Sequence, residues 1–185
     1  VATDGYRLSL KKLPNSLSDQ PFSVIVPYKA LSEINKIIQP LPDTDRLTLT
    51  ISDNQVSFKR DGFLFVSRVI QGQFPDYKQV LPSSSQYSFS ISRRLLLDAA
   101  ERASIIASAS NNVVRLSFQE NSVQMTANAV ALGDFKEDVP VQRLAGEGDA
   151  KVAFNVRLVL DAIKNMDEDD IKLEFNNELS PCIIK

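Results

Sequence analysis

No histidine occurs among the 185 residues, and cysteine occurs once, as Cys182. Without imidazole every Ser-His and Cys-His nucleophile arrangement is excluded, and with a single thiol so is a zinc site. A lone cysteine cannot form an intrachain disulfide, so an oxidising compartment is not indicated and the chain reads as cytoplasmic. The six glycines build no phosphate-cradling loop. No apolar run approaches the roughly 18 residues that a membrane span needs. The opening VATDGYRLSL has neither the basic stretch nor the apolar run of a signal peptide. It also lacks an initiator Met, so the chain reads as a fragment of something longer. Carboxylate, lysine or serine chemistry survives these exclusions in principle, but no catalytic constellation and no cofactor or metal site is expected.

What is present fits a soluble globular protein, with 43% hydrophobic and 24% charged residues. The formal net charge of −2 argues against bulk electrostatic coating with nucleic acid. It leaves room for a basic surface offset by an acidic one.

Three segments share one plan: FSVIVPYKALSEINKII (22–38), YSFSISRRLLLDAAERA (87–103) and VAFNVRLVLDAIKNM (152–166). Each opens as a strand and turns helical, with helix starts at Pro27, Ser92 and Asn155, spaced 65 and 63 residues apart. Pro suits a first helical position, and Ser and Asn are good N-caps. Counting from each start, offset three holds Ala30, Leu95 and Leu158, and offset four holds Leu31, Leu96 and Val159. Offset seven holds Ile34, Ala99 and Ala162, and offset eleven holds Ile38, Ala103 and Met166. At about 100° per residue these positions form one apolar stripe. Offset two is always basic (Lys29, Arg94, Arg157) and offset six always acidic (Glu33, Asp98, Asp161). Their spacing predicts a charge pair across each exposed helix face.

Alternating runs follow each helix: 46–51, 55–60 and 63–70; then 113–118 and 122–130; then 171–175, continuing into CIIK. The repeat is strand–helix–strand–strand, with a further strand in complete copies. One-sided helices over antiparallel strands give an α+β fold, helices packed on one face of the sheets. TDGYRLSL reads as the tail of an earlier repeat, and the third repeat lacks its closing strands.

The helices at 27–39, 92–107 and 155–166 each carry a net charge of +1, leaving −5 on the rest of the chain. Their cations are Lys29 and Lys36, then Arg93, Arg94 and Arg102, then Arg157 and Lys164. A solvated helix face and a surface for a phosphate backbone without base readout both fit. The acidic run MDEDD (166–170) reads as an exposed loop rather than a metal site, because its carboxylates lack ordered ligand spacing. Ser83–Ser85, Ser90 and Ser92 have no base to activate them and read as loop and cap. Cys182 reads as a small buried hydrophobe. The connector GQFPDYKQVLP (72–82) carries Phe74, Tyr77, Val80 and Leu81 between prolines. It fits either a packing seam between domains or a groove for an apolar peptide.

Taken together, VATDGYRLSL, FSVIVPYKAL, GQFPDYKQVLP, FNVRLVLDAI and NELSPCII resemble the β subunit of bacterial DNA polymerase III, the sliding-clamp family. The resemblance runs along essentially the whole chain. It implies that residues 1–78 are the C-terminal part of the middle clamp domain. Residues 79–185 would be most of the third, without its last strands. The family implies a bacterial cytoplasmic, non-enzymatic processivity factor. Two subunits close head to tail into a ring, with helices facing sequence-independent duplex DNA. On that reading Lys29, Lys36, Arg93, Arg94, Arg102, Arg157 and Lys164 face the DNA. Short linear motifs of the polymerase III alpha subunit, the clamp loader and repair proteins would enter a pocket lined by Thr3, Gly5, Tyr6, Arg7, Leu8, Pro75, Gln79, Val80, Leu179 and Pro181. Tyr6 stands where many relatives have His, and Gln79 where some have Arg, which alters the polar rim. Ile105 and Ile106 would belong to the dimer interface and form an exposed apolar pair in this fragment. An α+β protein-interaction module without a DNA role is the alternative.

Overall fold

The computed structural model describes residues 1–13, 22–40, 42 and 46–185. Two compact units divide the chain. One comprises Val1–Ala2 and Leu8–Asp76, the other Thr3–Arg7 and Tyr77–Lys185. Two short strands, β1 (Ala2–Thr3) and β2 (Leu8–Ser9), flank the turn at the start of the chain.

In the first unit, α1 (Tyr28–Ile38) is followed by β3 (Thr48–Ile51), β4 (Gln55–Arg60) and β5 (Phe63–Arg68). The three strands form an antiparallel sheet in which Thr50 faces Ser57 and Phe58 faces Phe65. Pro27 occupies the N-cap of α1, one residue earlier than a first helical position, and its carbonyl accepts from the Ala30 and Leu31 N–H groups. The expected strand at 22–26 reduces to a single bridge between Ile25 and Ile70. Ala30 and Ile34 are buried as the stripe requires, but Leu31 is exposed.

The second unit runs β6 (Tyr87–Ser92), α2 (Arg93–Ser108), β7 (Val113–Phe118), β8 (Ser122–Ala129), β9 (Gly133–Ala145), β10 (Ala150–Asn155), α3 (Val156–Lys164), β11 (Asp170–Phe175) and β12 (Ile183–Ile184). Its seven-stranded sheet has the order β10-β7-β8-β9-β6-β11-β12, with every neighbouring pair antiparallel. The pairing exchanges strands between repeats. β6, which opens one repeat, pairs with β11 of the next, and β10, which opens that next repeat, pairs with β7 of the first. The first repeat forms a continuous ladder of its own, β7-β8-β9-β6, whereas the next is split, with β10 on one side of it and β11-β12 on the other.

The further strand expected in complete repeats is β9, thirteen residues in a stretch where alternation marked no run. Consecutive charges at Lys136, Glu137 and Asp138, followed by Pro140, hide the pattern. Phe135, Val139 and Val141 nevertheless pack on the core, and Glu137, in the same alternation, meets an arginine of α2 instead. Pro140 stands where β9 passes from β8 to β6, so its missing N–H breaks neither ladder.

The core lies between α2, α3 and the sheet. Phe89, Phe118 and Phe175, from three strands, are fully buried, with centroids 4.2 Å apart for Phe89–Phe118 and 5.4 Å for Phe118–Phe175. Leu96, Ala99, Ala100, Ala103 and Ala107 make a buried face of mostly small residues on α2, which lets it approach the sheet and α3 closely. Leu95, expected in the stripe, is exposed, because the buried arc of α2 is centred one residue further on. Ser92, at the N-cap of α2, makes no side-chain cap, and the Arg93 N–H donates to the Asp169 carbonyl. Asn155 does cap α3, accepting from the Arg157 N–H at 3.0 Å. Cys182 precedes β12 and packs, half-buried, against the core.

Candidate functional site

Helix cations come first. None of the three offset-two to offset-six pairs predicted from the spacing forms among the described residues. Glu33 binds Lys36 at 2.8 Å, Asp161 binds Arg7 at 2.9 Å, and Asp98 makes no ion pair among them. Lys164 crosses from α3 to Glu101 on α2 at 2.8 Å. Arg102 reaches down to β9 and holds both oxygens of Glu137, with Nε donating at 2.8 Å. That arginine fork keeps the Glu137 carboxyl below its ordinary value. Arg93 is half-buried, its Nε donating to the Glu168 carbonyl at 2.9 Å. Of the seven helix cations, therefore, three are charge-paired and one is bonded to backbone. Lys29, Arg94 and Arg157 are exposed and have no carboxylate partner among the described residues. They are the repeat-equivalent offset-two residues.

The turn at the start of the chain is tied by its own side chains. Thr3 Oγ1 donates to the Arg7 carbonyl at 2.8 Å and accepts from the Gly5 N–H at 3.2 Å. Asp4 Oδ1 accepts from the Tyr6 and Arg7 N–H groups, both at 3.0 Å, which lowers its pKa. Gly5 takes φ +90°, a conformation that a side chain disfavours. Tyr6 projects with 88% of its surface exposed. Arg7 donates through Nε to Asp4 and through Nη1 to Asp161 of α3, and these bonds raise its pKa.

The remaining members of the predicted pocket sit on separate pieces of chain. Leu8 is half-buried in β2 and Pro75 is exposed, both in the first unit. Gln79 ends a short 3₁₀ turn (Tyr77–Gln79), and Val80, 56% exposed, donates its N–H to the Tyr77 carbonyl. Leu179 is 96% exposed on a turn fixed by Asn177 and Ser180, and the exposed Pro181 follows it. What the fold brings together is the Thr3–Arg7 group, fastened to α3. A cavity of about 350 Å³ lies elsewhere in the second unit, among Pro82, Ser83–Ser85, Lys172, Glu174 and Lys185. Another, of about 500 Å³, lies in the first unit among Tyr28, Leu31, Ile34, Ile38, Leu47 and Phe58. Neither includes any of the ten predicted pocket residues.

The pair Ile105 and Ile106 needs correction. Ile105 is 66% exposed, but Ile106 turns inward and packs against the core, as consecutive helical residues 100° apart must when one faces the sheet. Sequence reasoning missed the carboxylates that define these sites. Asp161 and Glu137 meet their arginines across 154 and 35 residues, and nothing local in the sequence signals either pairing. No group of three or more potential metal ligands occurs among the described residues. Among them, no helix is long and apolar enough to cross a membrane.

Comparison with known proteins follows the two units closely. Residues 1–76 match the family described as DNA polymerase III beta subunit, central domain, and residues 78–185 match its C-terminal domain. The beta sliding clamp of Staphylococcus aureus is 33% identical over the whole chain, and the chain spans 48% of that relative's length. The solved structure of the DNA polymerase sliding clamp from Bacillus subtilis superposes with a TM-score of 0.81 at 29% identity, covering 90% of this chain and 45% of that one. A structure of a DNA polymerase III beta subunit from Eubacterium rectale gives 0.81 at 28% identity, covering 88% and 43%.

Proposed function

Because the chain belongs to the DNA polymerase III beta subunit family, we propose that it is the middle-to-third-domain part of a replication processivity clamp. Residues 1–78 are then the end of the middle domain and residues 79–185 the body of the third. The complete protein closes as a head-to-tail dimer around duplex DNA, and it tethers polymerase without catalysing any reaction itself. The observation that carries this reading is the match of two successive domains of one family along the whole chain, joined to a clamp fold.

The pattern of helix charge supports it physically. Three exposed cations, one per repeat, attract phosphates without reading bases. Pairing of Lys36, Arg102 and Lys164 with carboxylates limits how many phosphates the helices can grip, which suits a ring that has to slide. The ring test is retention of the complete protein on covalently closed circular DNA, with release when the DNA is cut once. Equal retention on both forms overturns the ring reading and favours a plain interaction module, to which the net charge of −2 also lends weight.

Partner motifs enter, on this reading, at Thr3, Gly5, Tyr6, Arg7, Leu8, Pro75, Gln79, Val80, Leu179 and Pro181. The exposure of Tyr6, Val80 and Leu179 supports that role, because large apolar groups left in water are available for burial by a partner. A Gln-Leu-x-Leu-Phe peptide titrated by fluorescence polarisation should bind saturably. Val80→Asp should abolish binding and leave the melting temperature unchanged, since Val80 supports no core. Unaltered affinity in that variant removes Val80 from the pocket.

A further inference from the structure

The Thr3–Arg7 turn is internally bonded, but internal bonds alone do not place it. Among the described residues, one side-chain hydrogen bond leaves the turn for a distant element, from Arg7 Nη1 to Asp161 Oδ2 at 2.9 Å. The element it reaches is well fixed. Val156, Val159 and Ile163 bury one face of α3, and Lys164 ties the helix to Glu101 of α2. Asp161 has a cation four residues back, Arg157, at the spacing of a helical ion pair, yet its carboxylate is turned to Arg7. Arg7 is held on two edges of its planar fork, Nε by Asp4 and Nη1 by Asp161, so that both the position and the plane of the guanidinium are set. Tyr6, the adjoining residue, is thereby presented from a defined place.

We propose that Asp161 is a positioning residue for the peptide site: through Arg7 it fixes the Thr3–Arg7 turn, and with it Tyr6, against α3, without touching the peptide itself. This rests on the peptide-site reading given above. An aspartate in this role acts only by way of the arginine, and that dependence is measurable.

The experiment is a fluorescence-polarisation titration of a Gln-Leu-x-Leu-Phe peptide against the parent chain, Asp161→Asn, Asp161→Glu, Arg7→Ala and the double variant Arg7→Ala/Asp161→Asn. Asp161→Asn should weaken binding about two- to fivefold, the scale of a partly exposed ion pair. Asp161→Glu should restore most of the loss. With Arg7 already replaced, Asp161→Asn should change nothing further. Unchanged affinity in Asp161→Asn, or a loss that Asp161→Glu does not restore, overturns the proposal. Losses that multiply in the double variant also overturn it, because Asp161 then acts independently of Arg7. If the parent chain itself shows no saturable binding, the peptide-site reading fails and the inference fails with it. Binding by the parent with an indifferent Asp161→Asn rejects the inference alone.

Discussion

Glu174 is a carboxylate only 8% exposed, kept charged by Lys172 Nζ at 2.5 Å and Lys185 Nζ at 2.6 Å. These two ammonium groups hold its pKa below the ordinary 4.5, with the bond to Lys172 the larger cause. A depressed carboxylate stabilises the fold above its unfolded pKa, and that stabilisation disappears as pH falls through the folded value. The melting temperature of the parent should therefore drop more steeply between about pH 5 and pH 3 than that of Glu174→Gln. Parallel curves in a thermal-melt series remove Glu174 from the acid response. Cys182 gives a second expectation. Burial pushes its thiol up to about 12, so little thiolate exists near neutrality. Disulfide-exchange reagents should label it slowly in the native chain and rapidly in denaturant, and fast native labelling contradicts this. Gly146 adopts φ +91°, and a Cβ there would stand 2.5 Å from Tyr87 Cδ1 and 2.7 Å from the Gln86 carbonyl oxygen. Gly146→Ala should destabilise by about 1–3 kcal/mol in a denaturant titration, from backbone strain joined to the clash.

At the scale of elements, the helices divide their residues between two tasks. The inner arc of α3 is carried by few large side chains, so Ile163→Ala should cost about 2–5 kcal/mol of stability, read from the urea midpoint. The outer arc separates cations that are paired from cations that are not. Replacing Lys29, Arg94 and Arg157 together with Gln in the complete protein should flatten the salt dependence of DNA binding by about 0.9 in log–log slope for each phosphate no longer neutralised. Replacing Lys36, Arg102 and Lys164 should change that slope far less, because carboxylates already neutralise them. Equal slopes for the two triple variants mean that the ion pairs do not divide the helix cations as described.

In the second unit as a whole, the later repeat adds strands to both edges of the earlier one and completes its core. Residues 77–146 keep β6 paired with β9 and β7 with β8, but lack the outer partners β11 and β10, together with α3 and the core residues Ile163 and Phe175. Expressed alone, that segment leaves ladder edges unpaired, and it should be unfolded by circular dichroism. Adding residues 147–185 as a separate piece should restore the fold, since the link around Glu147–Asp149 is exposed and carries no core. An independently folded 77–146 contradicts a cooperative seven-stranded unit.

The 65- and 63-residue repeat, the three helices and the α+β class were legible in sequence because they rest on local periodicity, and apolar spacing reports which face a segment buries. Motifs spread along the chain were specific enough to indicate the family. The place of the charged strand β9 was not legible. Glu137 is tolerated on its helix-facing side only because Arg102, on another element, meets it there. The same holds for Asp161, which the spacing assigned to Arg157 and the fold gives to Arg7. Short-range order follows from which residues are neighbours along the chain. The choice among several possible charge partners falls to whichever group the packed helices and sheet bring within about 3 Å, and that is settled only in three dimensions.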